Sequence, residues 1–107
     1  MIFSNYYNIL QFIILKFSSN NWNWSHLSCN PNISILFIHF YKQFPWKWNF
    51  VSYNPNISLQ FVLQNLNFYW DWTGLSENLK LEFNDDFFNL PLDGFGLSRN
   101  NYLNIKF

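Results

Sequence analysis

Several residue types are scarce in this sequence, and each scarcity closes a class of explanation. One cysteine, Cys29, among 107 residues excludes an internal disulfide framework. Three glycines leave no Gly-rich loop that could cradle a phosphate. Six basic and six acidic side chains give a formal net charge of zero, so no electrostatic footprint points to nucleic acid or to an anionic membrane. Long apolar runs are missing too. The stretch from Ile9 to Phe17 is interrupted by Gln11 and Lys16, is too short to span a bilayer, and lacks the basic flank and small-residue cleavage site of a secretory signal. The expectation is a soluble, intracellular protein. Alanine is absent altogether, whereas Phe, Tyr, Ile, Asn and Lys, whose codons are rich in A and T, dominate the chain. That bias points to an AT-rich genome.

What the sequence does contain is aromatic and periodic. Half of the residues, 50%, are hydrophobic and 24% are aromatic, enough apolar surface for one domain. All six tryptophans fall in three Trp-x-Trp pairs, Trp22/Trp24, Trp46/Trp48 and Trp70/Trp72, at a constant spacing of 24 residues. A period of this size marks a tandem array whose units bury their apolar faces on one another. The single repeat domain, 1–107, divides into a partial unit (1–21), two full units (22–45 and 46–69), a shortened unit (70–91) and a truncated one (92–107). The full units share the pattern Trp-x-Trp-x-x-Leu/Val-Ser-x-Asn-Pro-Asn-Ile-Ser, carried by Trp22 to Ser34 and Trp46 to Ser58. The third keeps Trp70, Trp72, Leu75, Ser76 and Asn78 but loses the Pro-Asn step, and the fourth keeps Leu97, Ser98, Asn100 and Leu103. Phe3, Ser4, Asn8 and Ile9 place the start of the chain in the same register.

Capping rules turn the pattern into helices. Asn23, Asp71 and Asp93 are good N-cap residues, with Lys47 the exception, and each is flanked by an apolar staple pair such as Trp22 with Leu27 or Trp46 with Val51. Asn30, read as a left-handed C-cap, and Pro31 end this first helix after about two turns. A second helix starts at the Ser34 cap, stapled by Ile33 with Ile38, and the equivalent pairs are Ile57 with Val62 and Ile9 with Ile14. Its apolar residues cover most of its circumference, which predicts burial between neighbours. In the third unit Glu82 occupies the cap column and Asp86 the staple column, so the cap is expected at Asn84, with Phe83 stapled to Phe88 and Asp85 and Asp86 in the first turn. Asn104 is the corresponding cap in the last unit. The expected fold is all-α, a short α-solenoid of helix-turn-helix repeats. The alternative, a leucine-rich-repeat-like α/β solenoid, wants Asn-x-Leu where this chain has Asn-x-x-Ile and a proline.

The Trp-x-Trp and Asn-Pro-Asn-Ile string, followed by an aromatic-aliphatic helix and a proline before the next Trp, resembles a tandem repeat of giant DNA viruses of the mimivirus group. The match is strongest from Trp22 to Ser76. The resemblance implies a viral source, a repeat scaffold, and a location in the host cytoplasm or the virion; it implies no reaction.

The residues that vary between units include the candidates for chemistry. His26 and Cys29 have the spacing of two metal ligands one helical turn apart, with His39 as a third, and the same pair would serve as a Cys-His nucleophile. Four converging ligands or an orienting third group are lacking, so no metal, no cofactor and no enzyme activity are expected. Asp85 and Asp86 are adjacent rather than paired across a cleft. Asn23, Asn32 and Asn56 begin Asn-x-Ser sequons, yet the last two sit at a turn and no secretory signal is present. Tryptophans could stack on bases, but they hold fixed packing positions and few Lys or Arg interleave them.

The leading expectation is therefore a protein-binding scaffold. Its surface would use the fifth column of the repeat (His26, Phe50, Gly74) and the eighth (Cys29, Tyr53, Glu77, Arg99), which vary as exposed positions do. A second reading is a remnant of a longer array without independent function, prone to end-to-end self-association. A weaker third is a single-strand nucleic-acid binder.

Overall fold

The computed structural model describes residues 8–82, 87 and 89–103. Among the described residues seven short helices follow one another: α1 (Ile9–Lys16), α2 (Trp24–Ser28), α3 (Ile35–Phe40), α4 (Trp48–Val51), α5 (Leu59–Gln64), α6 (Trp72–Asn78) and α7 (Gly94–Ser98). The fold is all-α, with no strand among the described residues, which removes the basis of the α/β alternative. Principal dimensions are 48 × 29 × 22 Å.

Helix starts follow side-chain chemistry. The Asn23 side chain accepts from His26 N at 3.0 Å, and that of Asp71 accepts from Thr73 N at 3.0 Å and Gly74 N at 3.2 Å. Asp93 accepts from Gly96 N at 3.0 Å. Ser34 and Ser58 cap α3 and α5 through Phe37 N and Phe61 N. Lys47 has no acceptor to offer, makes no side-chain cap, and opens α4, the shortest helix at 4 residues. Helices this short do not persist alone in water, so their stability must come from contacts between units.

Those contacts are made by buried polar side chains as much as by apolar ones. Ser28, Ser52 and Ser76 are fully buried. Their hydroxyls accept from the backbone N–H at the next unit's helix start: Lys47 at 2.9 Å, Asp71 at 2.8 Å and Asp93 at 2.8 Å. One turn back, the hydroxyls of Ser28 and Ser52 donate to the carbonyls of Trp24 and Trp48. The fully buried Asn54 reaches into the preceding unit, its amide lying 3.0 Å from the Ser28 carbonyl and 3.1 Å from those of Asn30 and Ile33. Asn78 repeats this toward Ser52, and Asn100 toward Ser76 and Leu79. Gln11 contributes in the opposite sense, its side-chain carbonyl accepting from Ser34 N at 2.8 Å.

Around this ladder lies the apolar core: Ile14, Leu27, Ile33, Phe37, Ile38, Trp46, Val51, Ile57, Phe61, Val62, Trp70, Leu75, Leu79 and Leu81. The first Trp of each pair closes the helix before it. The indoles of Trp22, Trp46 and Trp70 donate to the C-cap carbonyls of Phe17, Tyr41 and Asn65 at 3.0, 2.8 and 2.9 Å. The second Trp meets the first Trp of the following unit edge to face, Trp24 with Trp46 at 5.0 Å and Trp48 with Trp70 at 5.5 Å.

Five expectations are corrected. Asn30 is not left-handed, because no non-glycine residue among those described has a positive φ. A residue before proline is pushed toward extended backbone; Asn30 instead closes a turn, its carbonyl accepting from Ile33 N at 2.9 Å and its side chain from Asn32 N at 2.8 Å. The first helix of a full unit is nearer one turn than two, 5 residues in α2 and 4 in α4. The Ile9–Ile14 staple does not form. Leu10, in the cap column, cannot cap, so Asn8 caps α1 two residues early and Ile9 becomes the first helical residue, 70% exposed, while Ile14 stays buried. In the shortened unit the two missing residues belong to the Pro-Asn turn. α6 therefore runs on to Asn78, and the Leu79 carbonyl receives Asn100 as the Ile33 carbonyl receives Asn54. Leu79 thus takes the Ile57 column, and Glu82 does not hold the cap column. Finally, the second helices are not enclosed on all sides: Leu36, Phe40 and Leu63 are 38%, 65% and 38% exposed. The expected starts at Asn84 and Asn104, the Phe83–Phe88 staple and the unit carrying Phe3 and Ser4 lie outside the described residues.

Replacing Asn54 by Ala leaves the Ser28 carbonyl without its side-chain donor, whereas the carbonyls of Asn30 and Ile33 keep Ile33 N and Asn56 Nδ2. A buried polar group left without its partner costs about 1–3 kcal/mol, so Asn54→Ala is expected to lower unfolding free energy by about 2 kcal/mol in a denaturant titration. A loss under about 1 kcal/mol would show that water fills the site.

Candidate functional site

The variable fifth and eighth columns sit on α2, α4, α6 and α7 and at the residues just after them. The caps set this placement: with Asn23, Lys47, Asp71 and Asp93 each starting a helix, the fifth residue of a unit becomes the third residue of that helix. His26 and Phe50 are exposed there. Gly74 and Gly96, in the same column, are buried, which corrects the reading of Gly74 as a surface position.

Both glycines mark close approaches. The Tyr53 ring lies on Gly74, where a Cβ atom would come within 2.8 Å of it. At Gly96 a Cβ would run into the Thr73 carbonyl oxygen and lie 2.8 Å from Ser76 Cβ, so α7 packs directly onto the backbone of α6. Glycine in these positions is a packing requirement rather than a sign of an unoccupied surface.

From Tyr53 onward the eighth column gathers into a polar and aromatic cluster, which Cys29 does not join. The Tyr53 hydroxyl donates to Asp71 Oδ2 at 3.1 Å, while Asp71 Oδ1 caps α6. Burial, and then the adjoining Asp71 carboxylate, hold the Tyr53 hydroxyl above the ordinary phenol pKa. Arg99 pairs with Glu77 at 3.4 Å and lies over the Phe95 ring, 5.6 Å from its centroid. With Arg99 59% exposed, the ion pair adds little to stability. Thr73 Oγ1 donates to Asp93 Oδ2 at 2.7 Å; this bond, with the Gly96 amide, holds the Asp93 carboxyl below the usual carboxylate range.

His26 stands exposed on α2, and the half-buried Cys29 turns its thiol to the carbonyls of Ser25 at 3.5 Å and His26 at 3.6 Å in its own helix. His39 lies on α3 against Phe40 and Phe61. Among the described residues no three His, Cys, Asp or Glu side chains gather around a point where a metal ion could sit. No described helix is long and apolar enough to cross a membrane.

One surface was missed by sequence reasoning: the outward columns of α1, α3 and α5. Apolar residues there were taken as buried. The signal lay in the alignment, where Gln60 and Gln64 stand under Leu36 and Phe40, and Lys16 stands above Phe40. A column that accepts Gln and Lys is wet.

The glycine contacts order three substitutions. Gly96→Ala is expected to cost about 3 kcal/mol because the obstacle is backbone, and Gly74→Ala about 1 kcal/mol because the Tyr53 ring can swing aside. Gly94→Ala, with nothing within 4 Å, should change stability by less than about 0.5 kcal/mol. Denaturant titration of the three variants checks the ranking. Acid gives a separate test. A carboxyl whose folded pKa is depressed stabilises the fold above its unfolded pKa, and that stability is lost as pH falls through the lowered folded value. The melting temperature of the wild-type chain should therefore exceed that of Asp93→Asn at neutral pH and converge with it below the carboxylate range; a constant gap would assign the effect to something other than the charge. Comparison with known proteins supplies no further guide, for no protein family, curated protein or solved structure matches this chain.

Proposed function

We propose that the chain is a non-enzymatic repeat scaffold, a short α-solenoid of helix-turn-helix units, that binds another protein through its fifth and eighth columns. The observation that carries this reading is the exposure of two neighbouring aromatic side chains, Phe50 at 38% and Tyr53 at 42%, on the same short segment whose Val51, Ser52 and Asn54 are fully buried. Packing has thus claimed the framework positions and left large apolar groups on the outside, where their removal from water by a partner is favourable. The register of the ladder, in which each unit's Asn and Ser side chains address the backbone of its neighbour, supports the solenoid arrangement. The likeness to giant-virus repeats makes a viral source, acting in host cytoplasm or virion, part of the same proposal.

Phe50→Ser is the variant that tests it. Tyr53 is less suitable because its ring covers Gly74 and its hydroxyl binds Asp71. Used as bait in an extract of infected host cells, the wild-type chain is expected to retain a defined protein, and Phe50→Ser to retain at least about tenfold less of it with an unchanged thermal melt, as for an aromatic anchor worth about 2 kcal/mol. Equal retention would overturn the assignment of this face.

A further inference from the structure

We propose that the outward face of α1, α3 and α5 is a second docking surface, shaped for an acidic amphipathic helix of another protein. This face is carried by other helices than the α4 segment bearing Phe50 and Tyr53, so the proposal stands or falls apart from the preceding one.

Four apolar side chains on successive helices form its body: Phe12 is 45% exposed, Leu36 38%, Phe40 65% and Leu63 38%. Between α3 and α5 lies a groove of about 240 Å³, with Leu36 and His39 on one side, Gln60 and Gln64 on the other and Phe61 at the base. A row of exposed apolar residues with an indentation between two of its helices is the shape that receives an amphipathic helix, whose anchors recur at i, i+3, i+4 and i+7.

Charge selects the kind of helix. Although the chain is neutral overall, every side-chain carboxylate lies at or beyond Asp71, and the charged residues before it are Lys16, Lys42 and Lys47. Lys16 is an exposed member of the face, and Lys42, bonded to Asn65 Oδ1 at 3.1 Å, lies 5.9 Å from the ring centroid of Phe61, which lines the groove. A basic partner would meet no countercharge here and would desolvate its own cations, whereas Asp or Glu flanking an apolar stripe meets lysines on the rim. A second copy of this chain suits the face less well, since Asp71 and Asp93 already cap helices and Glu77 already pairs with Arg99; Glu82, Asp85 and Asp86 are the acids a copy would bring, an occupant that sedimentation distinguishes. A lipid surface suits it poorly as well, because Gln60 and Gln64 interrupt the apolar stripe.

The test uses two dye-labelled synthetic helical peptides with Leu at i, i+3, i+4 and i+7, one carrying Glu at all other positions and one carrying Lys. Anisotropy titration with the full chain is expected to show the Glu peptide binding at least about tenfold more tightly than the Lys peptide. Phe40→Ser should weaken the Glu peptide by about tenfold or more, and Phe50→Ser should leave it unchanged. Should Phe40→Ser fail to fold, Lys16→Glu is to weaken the Glu peptide and strengthen the Lys peptide. Equal affinity for the two peptides, or no binding to the folded chain, overturns the proposal. So does self-association in sedimentation velocity that Phe40→Ser abolishes, which would make a second copy the occupant. Phe40-dependent capture by vesicles of phosphatidylcholine and phosphatidylserine would make the occupant a membrane, and overturns it equally.

Discussion

Everything in this molecule depends on buried side-chain amides and hydroxyls that bond to backbone rather than to one another. Asn54 is the clearest case: fully enclosed, its amide reaches three carbonyls of the preceding unit, and its own carbonyl oxygen accepts from Asn56 N at 2.8 Å. An amide placed this way satisfies the Ser28 carbonyl left over at the end of a helix of 5 residues and ties the turn that follows it. Ser28, Ser52 and Ser76 do the same for the N–H groups at the start of the next one. The two kinds of contact are complementary in sign. Asn supplies donors to a helix C-terminus, Ser supplies an acceptor to a helix N-terminus, and each junction from Ser28 onward uses both. Shortness of the helices and burial of polar residues are thus one solution: neither is stable without the other.

The apolar residues add energy but would accept several registers, because burial is non-directional. Hydrogen bonds with fixed geometry would not. A slip of one residue would bury the Asn54 amide without its carbonyls, at about 1–3 kcal/mol for each group left unpaired. The edge-to-face pairs of Trp24 with Trp46 and Trp48 with Trp70 act in the same direction, because each links the second indole of one unit to the first of the next. The indole N–H of the first Trp is in turn spent on the preceding helix C-cap. A tryptophan here is both core and cap, which explains why its column admits so little else.

Much of this was legible in the residues. Asn23, Ser34, Ser58, Asp71 and Asp93 cap the helices their chemistry predicted, and Lys47 fails to. What was not legible depended on contacts between units. Asn30 was read as a local helix terminator, but it closes a turn with Asn32 and Ile33, and the next residue in its column, Asn54, serves the carbonyls of the neighbouring unit. Gly74 was read as one more variable surface residue because a sequence column does not reveal that a ring from the preceding unit fills the space. The lost Pro-Asn step was visible as a shortening, yet only the position of Leu79 under Asn100 tells where the register resumes. On the candidate face, the exposure of Phe50 and Tyr53 agrees with alternation against buried neighbours, whereas the outward columns of α3 and α5 were obscured by their own hydrophobicity. An apolar residue is only biased toward the interior.

Because the framework bonds end on backbone atoms, which every residue possesses, they make no demand on the side chains displayed by the neighbouring unit. Ser52 accepts from Asp71 N and Ser28 from Lys47 N with equal facility, though one neighbour is an acid that caps its helix and the other a base that cannot. The same independence lets the eighth column hold Cys29 in one unit, Tyr53 in the next and Arg99 in another without change to the ladder beside it. Exceptions arise where a side chain crosses a junction: Tyr53 over Gly74 favours glycine in its neighbour, and Glu77 with Arg99 couples two units by charge. Variation is therefore cheapest where a side chain points outward without crossing, as Phe50 and Phe40 do. Those are also the positions from which a partner could be recognised without disturbing the fold that presents them.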